Sequence, residues 1–376
     1  MTRKLAVRIM FLSLIMTLAL ASCNLPTITP PPAYAPTDVP TITAVVPPTA
    51  IPATATPVPQ ALVISGTNAI HLSAVNKAPA TNVQSLTWSS DSSTLGLVSQ
   101  NQDANGNSIF SATLLDAKLA VKTVWAEPNG GHITQISPDG RLAAVISSDL
   151  KTLNLIDLGD GNKDVVSISP QYSIGGATFA PDGKSFAFTN YEAMSVSVNS
   201  LPSGSETKVL SGFTTAAPVF EVGFAGNSSD LVWKARATIQ LQNIASGTLG
   251  ATFNHEDFVS AYRLSPDGKV LASASLKTIN GNPQSVVQLW DAALGTELHV
   301  LVLPQSALGL SFSPDGTLLA VATGNDVQIW DVASGTQVAT LSGHSAPVNL
   351  VAFSADGKSL ASCGQDNQLI LWQVYQ

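Results

Sequence analysis

A short turn phrase recurs along the chain at a nearly fixed interval, and this repeat constrains the fold more than any other feature. Counted between the Asp or Asn of successive copies, the intervals are 48, 43, 45, 40, 48 and 41 residues. Proline fixes φ at the first central turn position, and Asp-Gly tolerates a tight reversal. A repeat of this length predicts an array of similar small units. The seven copies, of which the first and fourth are degenerate, lie at residues 89–92, 137–140, 180–183, 225–228, 265–268, 313–316 and 354–357.

Each turn lies between short apolar segments that are typical of β-strands. Val270–Ala274 and Leu318–Ala322 do not alternate polar with apolar residues, which predicts strands that are covered on both faces. Farther along, a third segment such as Val327–Asp331 ends in Trp-Asp, and the turn Ala333–Thr336 leads into a fourth strand. Four strands in 40–48 residues correspond to one blade of a β-propeller. Residues 61–376 therefore predict an all-β, seven-bladed propeller with four antiparallel strands per blade.

The last repeat resembles the WD40 family. It carries Gly-His at 343–344, the Asp356-Gly357 turn and the pair Leu371-Trp372. In that family, hydrogen bonds between His, Ser or Thr, Asp and Trp make each blade rigid. The resemblance implies a WD40-type propeller over residues 61–376. It also implies a structural network made of His344, Ser362, Asp366 and Trp372 in blade 7, with Asp326 and Trp330 retained in blade 6.

The chain stops just after the strand that holds Trp372, so blade 7 lacks a fourth strand of its own. The stretch Asn68–Ser73 is similar to the fourth strand Gln337–Ser342 of blade 6. We expect this N-terminal stretch to complete blade 7 and close the ring, because closure removes an exposed sheet edge.

Residues 1–22 predict a lipoprotein signal peptide. Three basic residues precede an apolar segment, Ile9–Leu20, which is short for a bilayer span. Leu20–Cys23 is similar to the lipobox of bacterial lipoproteins, which implies that the Cys23 thiol receives a diacylglyceryl group and becomes the new N-terminus. A non-lipid signal peptide cut after Ala21 and an uncleaved anchor helix remain alternatives. The expected location is extracytoplasmic, with a lipid anchor in the cell membrane.

Residues 23–60 predict a disordered linker, since they hold 11 of the 23 prolines together with many Thr and Ala residues. Such sequences favour extended polyproline II and cannot bury a core. Their composition is also typical of O-glycosylated stalks.

Charge argues against a nucleic-acid partner. Charged residues make up 11% of the chain, against a typical share of about 25%. Without the three basic residues of the signal peptide, 14 basic residues face 25 acidic ones, a net charge of −11. No basic cluster follows the signal peptide, and nucleic-acid binding requires one. A disulfide between Cys23 and Cys363 is not favoured, because each cysteine has a separate explanation.

The sequence contains no catalytic motif, metal-ligand cluster or cofactor signature. Its histidines are scattered, and those near blade starts are expected to make structural hydrogen bonds. The candidate partner-binding residues in loops are Tyr172, Tyr191, Arg236 and Phe258.

These features favour a monomeric propeller that acts as a tethered protein-interaction or scaffold module for an unidentified protein or envelope partner. One alternative is an enzyme acting on envelope or extracellular glycans or peptides, which needs carboxylates or imidazoles that converge at a channel mouth. Another is a subunit or sensor of an envelope complex.

Overall fold

The computed structural model describes residues 60–160, 163–212, 221–226 and 228–375, all within one compact unit, Val58–Gln376. The predicted signal peptide (1–22), Cys23 and the linker up to residue 59 lie outside these ranges. Within them, no helix is long and apolar enough to cross a bilayer. The chain forms seven four-stranded antiparallel sheets, and the first strands of successive sheets lie side by side around a ring. The predicted seven-bladed all-β propeller is therefore confirmed.

The strands are numbered in chain order, and β1 (Ser73–Pro79) belongs to blade 7. Blade 1 consists of β2 (Val83–Trp88), β3 (Thr94–Gln102), β4 (Ser108–Asp116) and β5 (Val121–Ala126). Blade 2 consists of β6 (His132–Ile136), β7 (Leu142–Ile146), β8 (Leu153–Asp157) and β9 (Lys163–Ile168). Blade 3 consists of β10 (Ile174–Phe179), β11 (Ser185–Asn190), β12 (Ser195–Ser200) and β13 (Glu206–Leu210).

Blade 4 consists of β14 (Glu221–Phe224), β15 (Asp230–Ala235), β16 (Thr238–Asn243) and β17 (Leu249–Asn254). Blade 5 consists of β18 (Ala261–Leu264), β19 (Val270–Ile279), β20 (Asn282–Asp291) and β21 (Glu297–Leu303). Blade 6 consists of β22 (Ala307–Phe312), β23 (Leu318–Thr323), β24 (Asp326–Asp331) and β25 (Thr336–Ser342). Blade 7 consists of β26 (Val348–Phe353), β27 (Ser359–Gly364), β28 (Gln368–Gln373) and β1.

Two faces of the ring differ in what they carry. The turn face carries the repeated turns between the first and second strands of each blade. The loop face, at the opposite ends of these strands, carries the loops that join successive blades and those between the second and third strands. In the five turns that begin with serine, the serine hydroxyl donates to the aspartate two residues later, as between Ser265 and Asp267 (2.7 Å). That bond is the main reason why the pKa of Asp267 lies below its ordinary value.

The N-terminal strand closes the ring as predicted, but it starts later than expected. β1 pairs antiparallel with β28 from Ser73 opposite Gln373 to Pro79 opposite Gln368. The predicted strand Asn68–Ser73 is wrong in its bounds, because Ala69–His71 forms a 3₁₀ turn instead.

Asn68 explains why this segment turns. Its side-chain Oδ1 accepts a hydrogen bond from the Ser65 backbone N–H (2.8 Å), and its Nδ2 donates to the Val63 carbonyl (2.9 Å). Asparagine side chains commonly bond to nearby backbone in this way and thereby compete with extended structure.

The segment before β1 also fastens the N-terminus to the turn face. The Leu62 N–H donates to the Val374 carbonyl, and the Ile64 N–H donates to the Gly357 carbonyl in the blade 7 turn, both at 2.9 Å. Ile64 is only 1% exposed and packs into the hydrophobic core shared by blades 6 and 7. The chain therefore enters the propeller on the turn face.

We predict that Ile64→Ala lowers the free energy of unfolding by about 2–5 kcal/mol, because it removes a fully buried side chain and leaves a cavity. Ile70→Ala is the matched control, since Ile70 lies in the same segment and is 64% exposed. It should change the free energy by about 0.5 kcal/mol or less. Urea unfolding of both variants checks this, and equal small effects would show that the segment does not help to hold the ring.

Candidate functional site

Blade 7 contains a continuous chain of buried polar groups. The Trp372 indole N–H donates to Ser362 Oγ (2.8 Å), and Ser362 Oγ lies 2.8 Å from His344 Nε2. His344 Nδ1 in turn lies 3.0 Å from Asp366 Oδ1. Because indole only donates and carboxylate only accepts, Ser362 Oγ accepts from Trp372 and His344 Nδ1 donates to Asp366. The structure thus brings together all four predicted residues of this blade, and each polar atom along the chain has a partner.

Blade 5 contains a second such chain, which the sequence analysis did not assign. The Trp290 indole donates to Ser273 Oγ (2.8 Å), and Ser273 Oγ lies 2.7 Å from His255 Nε2. His255 Nδ1 donates to the Ala237 carbonyl (3.0 Å), which replaces the aspartate of blade 7. The histidine precedes its serine by 18 residues in both blades. The serine-to-tryptophan spacing, however, is 17 residues here and 10 in blade 7. The equal spacing between histidine and serine could have revealed this chain of hydrogen bonds from the sequence. The longer hairpin between Ser273 and Trp290 hid the similarity to blade 7.

Blade 6 does not form such a chain, which corrects the role implied for Asp326 and Trp330. Within the part of the chain that the structure describes, Trp330 Nε1 has no hydrogen-bond partner. The cause is Val321, which offers no hydroxyl. Val321 pairs with β24 at the position in blade 6 that Ser362, paired with β28, holds in blade 7. In blade 7 the aspartate is joined to the tryptophan through a histidine and a serine, and without that serine Asp326 and Trp330 are not joined in this way.

The loop face brings the four candidate partner-binding residues together in two pairs. Tyr172 is exposed in the loop between blades 2 and 3, and Tyr191 is half-buried in the loop after β11. The two loops are joined because the Tyr191 N–H donates to the Ser173 carbonyl (2.8 Å). Glu192 accepts from both the N–H and the hydroxyl of Ser173, at 2.6 and 2.7 Å.

Arg236 and Phe258 lie in two neighbouring loops at the junction of blades 4 and 5. Arg236 is exposed in the turn after β15, and its carbonyl accepts from the Val259 N–H (2.9 Å). Phe258 is 45% exposed, and its ring centroid lies 5.2 Å from the Lys234 ammonium. Lys234 is buried and forms an ion pair with Glu221 at 2.5 Å. This pairing offsets the cost of burying the ammonium charge. The loop between the two junctions, residues 213–220, lies outside the described ranges.

The second hairpin of blade 5 rises above most of the loop face, and that of blade 1, with nine cross-strand pairs between β3 and β4, is nearly as long. β19 and β20 form ten cross-strand pairs, against six between β23 and β24 in blade 6. Exposed apolar side chains accompany it on this face, namely Met194, Leu276 and Leu308.

Among the residues of the described ranges, no group of three or more His, Cys, Asp or Glu side chains is placed to hold a metal ion. Cys363 is buried in β27, and burial raises the pKa of its thiol.

We predict that Ser362→Ala lowers the free energy of unfolding by about 1–3 kcal/mol, because it leaves buried groups of Trp372 and His344 without partners. Ser345→Ala, in an exposed part of the same blade, should change it by about 0.5 kcal/mol or less. Denaturant unfolding measures both. An equally mild Ser362→Ala variant would mean that the chain of hydrogen bonds adds nothing to stability.

We also predict a pH dependence to which blade 5 contributes, together with blade 2, where burial likewise lowers the pKa of His132. Burial lowers the pKa of His255, so below about pH 6.5 the unfolded chain binds a proton that the folded chain does not. Stability should therefore fall as the pH drops from about 7 through that range. His255→Gln should be less stable at neutral pH but show a shallower fall, whereas His71→Gln, at an exposed position, should keep the wild-type slope. Identical slopes for the wild type and His255→Gln would contradict the contribution of blade 5.

Comparison with known proteins agrees with this geometry. The profile described as "WD domain, G-beta repeat" matches residues 247–291, 295–331 and 335–373. A stretch of 70 residues is 46% identical to the Intraflagellar transport protein 122 homolog of Xenopus tropicalis, covering 19% of this chain and 6% of that protein. A stretch of 131 residues is 30% identical to the Small ribosomal subunit protein RACK1 of Schizosaccharomyces pombe, covering 32% and 40%. The Cross-pathway control WD-repeat protein 2 of Flammulina velutipes is also 30% identical over 131 residues, covering 32% and 39%. The chain thus spans less than half the length of these relatives.

Each matched segment begins near the fourth strand of one blade and ends in the third strand of the next. Successive repeats therefore interlock neighbouring blades. The chain is a seven-bladed β-propeller that carries WD40 repeats in its last three blades.

Proposed function

We propose that this protein is an extracytoplasmic lipoprotein, tethered through Cys23, whose propeller binds a protein partner with its loop face. The observation that carries the proposal is the pair of loop junctions on that face. Tyr172 with Tyr191, and Arg236 with Phe258, are held by hydrogen bonds between neighbouring loops. Aromatic residues and arginine are enriched where proteins bind one another.

The rigidity of these junctions supports binding. Loops whose backbone is already held by hydrogen bonds lose less conformational entropy when a partner docks, so more of the contact energy contributes to affinity. The names of the relatives also suggest roles within larger assemblies, a ribosomal subunit in one case and intraflagellar transport in another. A scaffold or interaction role for this chain follows by analogy with them.

The entry point of the chain supports the orientation. Residues 61–64 bind to the turn face, so a tether that begins at Cys23 joins the propeller there and leaves the loop face free. A proline-rich linker of this length reaches on the order of 100 Å when extended, at about 3.1 Å per residue. The partner therefore lies within that distance of the membrane.

The two cysteines allow a matched test of the tether. Wild-type protein should partition into the detergent phase, and its N-terminal peptide should start at Cys23 and carry the mass of attached acyl chains. Cys23→Ser should move to the aqueous phase, whereas Cys363→Ala should stay with the detergent. A wild-type protein whose mature N-terminus follows Ala21 but bears no lipid would contradict the anchor.

Photo-crosslinking in intact cells tests the binding face. A photoreactive residue at Met194, 48% exposed on the loop face, should yield a protein adduct of one discrete mass. The same residue at Leu294, 73% exposed on the turn face, is the control and should yield none. Adducts confined to position 294 would contradict the proposed face. Turnover of a glycan or peptide by the purified protein, with no adduct at either position, would favour an enzyme instead.

A further inference from the structure

The loop between blades 4 and 5, residues 255–260, is held by contacts to neighbouring blades at every residue except the two at its tip, Asp257 and Phe258. His255 belongs to the buried chain of blade 5, and Glu256 Oε2 accepts from the Thr278 N–H of the raised hairpin (2.8 Å). Val259 is fully buried, and its carbonyl accepts from Lys234 Nζ (3.2 Å). Ser260 Oγ donates to the Ala307 carbonyl of blade 6 (2.8 Å). These contacts join the loop to three blades.

Asp257 and Phe258 project from this fixed frame into solvent. Asp257 Oδ1 accepts from the Phe258 N–H (2.7 Å), which orients both residues, and both side chains are exposed. A large aromatic ring that is exposed yet positioned by its own loop is typical of a binding hot spot. The cost of ordering it has already been met in the free protein.

Within the described ranges, one face of the Phe258 ring is covered and the other is left for a partner. Lys234 Nζ lies 5.2 Å from the ring centroid, a cation–π contact that occupies the inner face. The cation–π contact is thus already made on the inner face, and the exposed outer face presents apolar carbon. The outer face therefore suits an apolar side chain.

The charges beside the ring favour a basic neighbour. Glu221 and Lys234 neutralise each other, as do Lys277 and Glu297, whose ion pair measures 2.5 Å. Glu256 and Asp257 are both exposed at the tip of the loop, so two adjacent carboxylates stand beside the ring. The hydrogen bonds from Thr278 lower the pKa of Glu256 and keep its carboxylate ionised.

We propose that Asp257 and Phe258 are the anchor point for a partner segment in which an arginine or lysine lies next to an apolar side chain. The apolar side chain packs on the outer face of Phe258, and the cation pairs with the carboxylates of Asp257 and Glu256. This proposal rests on the proposed protein-binding function and names the site and the chemistry of the partner. Lys234 acts in it as a positioning residue, since it fixes the ring from within.

Selection from a random-peptide phage library on the full-length protein in detergent micelles tests this site. Phage that bind empty micelles are removed first, and selection is on the wild-type protein alone, so that dependence on Phe258 is left open to measurement. We expect the enriched peptides to share a basic residue next to an aliphatic or aromatic one. Phe258→Ala should weaken synthetic copies of these peptides at least about tenfold, the loss of one hot-spot side chain.

Asp257→Asn should weaken the same peptides about threefold to tenfold and flatten the salt dependence of binding, because it removes one exposed charge. Leu294→Ala, on the turn face, is the control and should bind as the wild type does. Tyr172→Ala, at the other loop junction, shows whether the peptides bind elsewhere on the loop face. Thermal unfolding of each variant confirms that the fold is retained.

The proposal would be overturned by peptides that share acidic residues, by peptides whose affinity is unchanged by Asp257→Asn, or by a library that yields no binder dependent on Phe258. If Tyr172→Ala abolishes peptide binding and Phe258→Ala does not, the loop face still binds partners and only this site is wrong. Adducts at Leu294 in place of Met194 in intact cells would instead contradict the proposed function itself.

Discussion

The pairing of β1 with β28 is the contact on which the rest of the structure depends. Each WD40 repeat spans two blades, so the last repeat leaves blade 7 one strand short. The N-terminal strand fills that place over seven residues, and Ile64 fastens the preceding segment into the core between blades 6 and 7. Without this strand, β28 would present an open edge, and the ring would lose the contact that joins its two ends.

Within this ring, buried polar chains stiffen some blades and not others. Blades 5 and 7 each connect a tryptophan to a serine and a histidine, and blade 6 has Val321 where the serine would be. A complete chain satisfies all its buried donors and acceptors, whereas an incomplete one leaves an indole N–H unpaired. His255 joins the buried polar chain of blade 5 to the loop that presents Phe258. The rigid blade therefore also holds this loop on the loop face.

The sequence was sufficient for the fold because the repeat interval and the turn chemistry are local. It was also sufficient to assign the chain of blade 7, where His344, Ser362, Asp366 and Trp372 lie at family spacing. It failed where a local interaction competes with pairing, as with Asn68, whose side chain turns the segment that was predicted to be a strand.

The pairing of the candidate loop residues could not be predicted, because it depends on long-range bonds such as Glu192 to Ser173 and Glu256 to Thr278. The buried hydrogen-bonded chain of blade 5 could not be recognised either, because its longer hairpin changes the spacing between serine and tryptophan. The predicted lipidation of Cys23 rests on the sequence pattern alone, since that residue lies outside the described ranges.

Native-state hydrogen exchange of β1 tests ring closure most directly. If the N-terminal strand is an integral part of the propeller, the β1 amides bonded to β28 exchange only through global unfolding. Their opening free energies should then equal those of β27 in the same blade and of β19 in blade 5. The contradicting result is exchange of the β1 amides through a local opening of much lower free energy, while β19 and β27 stay protected.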